Sequence, residues 1–449
     1  MQLTGLLRVG LLSAICIQAA FSQAAGPRLF RIEELRTPPG YEVSVYATVG
    51  GAPRHMAFGP NGVLYVAARN GGNVVAIPER GRTVFALRGL NGPHTLVFRD
   101  NDLWVAVNDG VVRFSDPTPA DFVIRSQARR VLNAPAGGGH STRTLGIDAE
   151  GKLYLSIGST CNFCIEADRR RATIVQYNAD GTGERLFATG LRNTVGFTFH
   201  PVTGMIWGVD HGGDNLGDDE PPEEINLIED GKDYGWPDCV GNQRPARWGA
   251  QARTERCGET KGPEFEMQAH SAPLGIDFYT GDQFPASFRH DALVAFHGSW
   301  NRTQPTGYKV SRIRMRDGKP VGQEDFLWGF LDSATRSRSG RPVQAITGPD
   351  GAVYVSDDGN GNIYRVAYTG PRINDAGIGQ VTGKIYAMYG YRFANDGGTV
   401  RVFANGLACE VLYAGENQVN FALPEAARGE VTIRIENERA SDEQKITVE

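Results

Sequence analysis

Basic charge is not in excess in this chain. Its 449 residues carry 46 Lys and Arg against 51 Asp and Glu, a formal net charge of −5. A nucleic-acid binder would show a basic stripe, and this sequence has none. After the N-terminal segment no apolar run approaches the ~20 residues of a membrane span. Cysteine is sparse at six residues. The CxxC of Cys161 and Cys164 has no second pair at zinc spacing, which argues against structural zinc.

Glycine, by contrast, is plentiful at 57 residues, and short β-branched and aromatic runs alternate with turns. That pattern predicts an all-β protein. The N-terminus, MQLTGLLRVGLLSAICIQAAFSQAAG, has an apolar core from Leu11 to Phe21, followed by Ser22-Gln23-Ala24. It reads as a signal peptide over 1–25, implying a secreted or periplasmic protein. A lipid on Cys16 is disfavoured by the bulky Ile15 before it. Export permits disulfides. Cys161 with Cys164, and Cys239 with Cys257, are local pairs that could each close one, leaving Cys409 single.

A hairpin pattern recurs six times. It appears as RHMAFGPNGVLYVA from Arg54, PHTLVFRDNDLWVA from Pro93, RTLGIDAEGKLYLS from Arg143 and NTVGFTFHPVTGMIWG from Asn193. A looser copy runs from Leu274 to Phe296, and VQAITGPDGAVYVS starts at Val343. One hairpin cannot bury both of its faces, whereas hairpins packed in a circle can. The expected architecture is a six-bladed β-propeller over 27–368. Pro371 marks a change of character. GTVRVFANG, ACEVLYAG, QVNFALP and GEVTIRIEN alternate like the strands of a small immunoglobulin-like β-sandwich over 371–449.

In a propeller, equivalent ends of different repeats converge at the channel mouth. Arg54, His55, His94, His140, Arg143, Arg192, Asn193 and Arg341 start first strands; Ser159, His211, His297 and Asp357 follow second strands. Five of the eight histidines fall at these positions. A site rich in cationic and imidazole groups suits an anionic ligand. Directly after the fourth repeat comes DHGGDNLGDDEPPEEINL, with seven carboxylates and no Lys or Arg. So much negative charge either repels itself in solvent or collects around a cation. Asp218, Asp219 and Glu220 read as a solvated loop. Asp214, Glu223 and Glu224 are candidate metal ligands. An acidic cofactor bridged to the protein by a metal ion would reconcile the two features.

GLRNTVGFTFHP, DHGGD, EEINLIEDGKDYGWPDC, HSAPLGI, GHSTRTLGIDAEGKLYLSIGS, HGSWNR and GRPVQAITGPDGAVYVSDD together resemble the soluble quinoprotein glucose/sorbosone dehydrogenases. The resemblance implies a six-bladed propeller that binds pyrroloquinoline quinone (PQQ) with calcium (Ca2+) and oxidises a small-molecule sugar or sugar aldehyde, passing electrons to an external acceptor. It implies that His140 is the general base and Arg192 the cation beside the quinone carbonyls. Asn193 and His211 match cofactor contacts, and Gly212 and Gly213 match backbone ligands of calcium. Arg302 and Arg341 fall near basic residues that hold cofactor carboxylates, and His94 is a further candidate cofactor contact.

Ser159 stands where the glucose branch of that family has an Asp that orients the catalytic His, which favours a sorbosone-like branch. Two other readings compete. A calcium-dependent lactonase on the same propeller would want carboxylate and Asn ligands at the axis, where this chain offers Arg and His. A non-catalytic propeller could bind carbohydrate or protein, and the C-terminal module keeps that reading open.

Overall fold

A computed structural model of the protein describes residues 25–246, 253–394 and 399–448. The expected signal peptide lies, apart from residue 25, outside the described residues. Among those described, no helix is long and apolar enough to cross a membrane.

Six four-stranded antiparallel sheets form the blades. Each expected hairpin supplies the first two strands of one blade. The fourth, for example, pairs Thr194–Phe199 with Ile206–Asp210, then adds Glu223–Ile228 and Phe265–Met267. Second strands such as Leu64–Ala68 and Val353–Asp357 are buried along their whole length. Neighbouring blades cover both of their faces, which is why these segments read as continuous apolar runs rather than alternating ones. The longer connection in the fifth repeat holds a short 3-10 turn, Ala286–Phe288, before the second strand Ala292–Phe296.

The innermost strands touch one another in a closed ring, from Pro53–Phe58 around to Pro342–Thr347 and back. Close approach in that ring selects small residues. A Cβ on Gly275 would lie 2.6 Å from the carbonyl oxygen of Val343 on the next inner strand. The ring is closed by a strand from the other end of the chain. Tyr41–Thr48 pairs with Asn362–Tyr368 as the outer strand of the sixth blade. Closure in this way ties both ends of the propeller segment into one blade.

Past Pro371, strands Arg372–Thr382, Ile385–Tyr391, Gln418–Ala422 and the second half of Leu407–Ala414 form one sheet. The first half of Leu407–Ala414 joins Arg401–Ala404, Gly429–Glu436 and Ser441–Val448 in the other. The two sheets share a strand and enclose a separate core that includes Met388, Val419, Phe421, Val431 and Ile433. This is the β-sandwich module. Disulfides join Cys161 to Cys164 and Cys239 to Cys257, and Cys409 is unpaired.

Candidate functional site

First strands begin where second strands end, as in the pairs Thr194 with Asp210 and Pro342 with Asp357. The connecting loops therefore gather at one mouth of the channel. They enclose a cavity of about 300 Å³ lined by His140, Arg192, His211, Gly212, Asp214, Glu223, His297 and Arg341 from the sequence expectations, together with His270, Trp300 and Asn301. This volume is at the lower end of the roughly 300–1,000 Å³ usual for small-molecule sites. A larger hollow of about 410 Å³ between the propeller and the C-terminal module holds none of the expected site residues.

His140 has a defined tautomer. Its Nδ1 lies 2.9 Å from both the carbonyl oxygen and the hydroxyl of Ser159. The carbonyl can only accept, and the Ser159 hydroxyl already donates to Cys161 O at 2.8 Å. The proton therefore resides on Nδ1, and Nε2 is the bare, basic nitrogen. The Ser159 carbonyl thus orients this imidazole, in the place where the glucose branch of the resembled family has an Asp. Burial, reinforced by the Arg192 charge, lowers the His140 pKa to about 4, so it is neutral near pH 7.

His211 is fixed in the opposite sense. Its Nε2–H donates to Pro273 O at 2.7 Å and its Nδ1 accepts from Asn193 Nδ2 at 3.3 Å. Burial lowers its pKa to about 3. Asn193 stands behind the cavity, positioning His211, with its own N–H donating to Asp210 Oδ1 at 2.9 Å. Arg192 is only 3% exposed and pairs with Asp214 at 2.9 Å. Arg341 is anchored by donation to His297 O at 3.1 Å and Gly298 O at 3.3 Å.

The acidic stretch divides. Glu223 is buried and accepts from Gly212 N and Ala272 N, each at 3.0 Å, and burial raises its pKa to about 8. Glu224 and Asp210 line a second, enclosed space of about 20 Å³ with Gly212, Gly213 and Tyr234. That is room for about one water or ion. Burial and then the Asp210 charge raise Glu224 to about 8, while burial raises Asp210 to about 6. Asp210 and Glu224 are directly opposed on neighbouring strands, and Arg192 lines the same space; carboxylates gathered in this way suit a hard cation with oxygen ligands. Asp218 Oδ1 instead accepts from Thr303 N at 2.8 Å, and Asp219 is exposed.

Besides Asn193, two expected cofactor contacts lie away from the cavity wall. Arg302 turns away from the cavity to hold the acidic loop, donating to Asp218 O, to Ala269 O at 3.3 Å and to Gln304 O at 3.2 Å. Its neighbour Asn301 takes the cavity position, because the chain after His297 folds back on itself through Ser299 N and Thr306 O. His94 is fully buried and packs against His55 with ring centroids 4.3 Å apart and planes tilted by 45°, while Arg54 lies 3.3 Å from its Nε2. It belongs to the packed throat of the channel.

The sequence reading missed His270, Trp300, Asn301 and Asn162. Asn301 is 3% exposed, with Nδ2 3.2 Å from Asp214 Oδ1 and its own Oδ1 without a partner. A buried polar atom left open on a cavity wall is a place for a ligand donor or a cation. The HGSWNR motif was the available signal for Trp300 and Asn301, but it gave no means of choosing among its members.

A family model described as TrAA12-like matches residues 35–369. A protein of Borreliella burgdorferi is 31% identical over 350 residues, covering 74% of this chain and 91% of its own length. Among solved structures, the holo form of the PQQ domain of pyranose dehydrogenase from Coprinopsis cinerea superposes with a TM-score of 0.65 at 20% identity, covering 77% of this chain and 98% of that one. The calcium structure of the Trichoderma reesei carbohydrate-active enzyme of family AA12 gives 0.66 at 20% identity, covering 78% and 98%.

Proposed function

This chain belongs to the TrAA12-like family, and from that membership and the geometry of the mouth we propose that it is a PQQ- and calcium-dependent dehydrogenase of a sugar or sugar aldehyde. The observation that carries the reading is His140, whose bare Nε2 belongs to a cavity walled by Arg192 and Arg341. The donor set fits the cofactor. PQQ is an anion with several carboxylates and quinone carbonyls, and the buried Arg192 and half-buried Arg341 offer guanidinium groups to them. The open Oδ1 of Asn301 and the carboxylate of Asp214 add oxygen ligands for a divalent ion, and Gly212 belongs to both spaces.

When bound, PQQ accepts the hydride of the oxidation. The protein's contribution is proton handling and charge. His140 Nε2 takes the proton of the substrate hydroxyl, and Ser159 keeps Nδ1–H in place as the ring becomes imidazolium. Arg192 places positive charge where negative charge develops. Once ionised, Glu224 and Asp210 would offer carboxylate oxygens to a cation. The protein acts outside the cytoplasm and passes electrons to an external acceptor.

The test is reconstitution of apo-protein with PQQ and calcium, followed by a sugar and aldehyde screen with an artificial electron acceptor. Turnover that requires both additions supports the reading. Folded protein that binds no PQQ in calorimetry overturns it.

A further inference from the structure

The CNFC segment beside His140 is a four-residue ring closed by the Cys161–Cys164 disulfide. A loop at a channel mouth is ordinarily the most mobile part of a site. This one instead points its Asn side chain inward. Asn162 Oδ1 accepts from Arg192 Nη2 at 2.9 Å and from Asp214 N at 2.8 Å. Its Nδ2 donates to Asp214 O at 2.8 Å. The Asn162 main-chain oxygen accepts from Arg192 Nε at 3.2 Å and Trp236 Nε1 at 3.1 Å. The next residue, Phe163, lies so close over Gly213 that a Cβ there would be 2.2 Å from its ring.

We propose that Asn162 is a positioning residue for Arg192, set by the disulfide ring around it, and that it decides which edge of the guanidinium is offered to the cavity. A guanidinium has five N–H donors in a rigid fork. On Arg192, Nε and one Nη2 proton are taken by Asn162, the other Nη2 proton by Asp214, and one Nη1 proton by His211 O at 3.3 Å. The remaining donor is on Nη1. Asn162 therefore occupies one whole edge of the fork and leaves a single outward N–H for an anionic ligand. By holding both N–H and C=O of Asp214, it also sets where that carboxylate sits relative to Arg192 and Asn301. The same ring reaches His140, because Cys161 O accepts the Ser159 hydroxyl proton at 2.8 Å. The ring thus links the base, the cation and the acidic turn, which come from three separate segments of chain.

This inference rests on the dehydrogenase reading only for its kinetic consequence. The experiment compares wild type, Asn162→Ala and Asn162→Asp, each disulfide-intact. PQQ affinity is read by calorimetry with calcium saturating, kcat and KM with the best sugar of the screen, and Arg192 placement from crystal structures of the three apo-proteins. Asn162→Ala removes a hydrogen bond to a charged group and is expected to weaken PQQ binding and lower kcat by about ten- to a hundredfold. KM for the sugar is expected to stay within about twofold. Asn162→Asp keeps the acceptor for Arg192 and Asp214 N but loses the donor to Asp214 O, so it is expected to hold Arg192 in place while recovering only part of the loss. In the Ala variant the Arg192 guanidinium leaves its wild-type position. Wild-type affinity and kcat in Asn162→Ala overturn the proposal, as does equal loss in both variants with Arg192 unmoved. If wild type itself binds no PQQ, the dehydrogenase reading fails. The crystal structures then decide the positioning role alone: a displaced Arg192 supports it and an unmoved one refutes it.

Discussion

Replacing Asp358 by Ala should destabilise the propeller by about 3–5 kcal/mol, the usual cost of removing one partner from a buried ion pair. The carboxylate is bound on both sides. Oδ2 pairs with Arg54 at 2.6 Å, with side chains 7% and 13% exposed, and Oδ1 accepts from His297 Nε2 at 2.6 Å. The other acceptor beside Arg54 is the uncharged imidazole of His94, 3.3 Å from Nη2, which supplies no counter-charge, and among the described residues Nε has no partner. The variant therefore leaves a guanidinium buried and unpaired. For a domain the size of the propeller the unfolding entropy is about 0.7 kcal/mol/K, so the loss corresponds to a fall of about 4–7 °C in Tm. Urea and thermal unfolding of the apo-protein measure both quantities. The double variant Arg54→Met, Asp358→Ala should recover more than half of the loss, because no charge is then stranded. A Tm within about 1 °C of wild type for the single variant, or a double variant no better than the single, would refute the reasoning.

His140→Ala should retain PQQ binding but cut kcat by at least about a hundredfold, the scale of a lost general base; near-normal turnover removes His140 from that role. Acid should destabilise the fold through the buried histidines. Burial, with Arg54, holds His55 at about 3, and burial, with His55, keeps His94 well below its ordinary value. Both are neutral when folded, whereas the unfolded chain protonates near pH 6.5. Their neutral-state contribution is full above that pH and is lost as pH falls toward about 3, at up to about 1.4 kcal/mol per pH unit for each. Denaturation of wild type and His55→Asn at pH 7 and 5 tests this, and identical pH dependence counts against it. Glu224, raised to about 8 without a cation, must lose its proton to bind one. Calcium should raise Tm more at pH 8 than at pH 6, and not at all in Glu224→Gln; a Tm indifferent to chelator in wild type rejects the site.

The six hairpins were legible because they are local. Alternating apolar positions and a Gly, Asn or Asp turn encode five of them within roughly 15 residues each, and only the fifth, from Leu274 to Phe296, has a longer connection. Their repetition then implied circular packing, and circular packing implied that His140, Arg192, His211 and Arg341 meet at one mouth. The family motifs assigned those residues roles that periodicity alone could not. What only the tertiary structure decided depends on approach across the ring. Tyr41–Thr48 completes the sixth blade against Asn362–Tyr368, a pairing between chain ends that carry no mutual signal in sequence. His94 was at a repeat-equivalent position, yet the throat narrows there and closes over it completely. Arg302 lies one residue from Asn301, and a single step along a folded-back loop reverses which side chain meets the cavity. Ser159 reads as a lost carboxylate until its main-chain oxygen is located beside His140 Nδ1. Backbone acceptors exist at every residue, so sequence cannot say which one a ring nitrogen will find. That choice is made when distant blades close the ring.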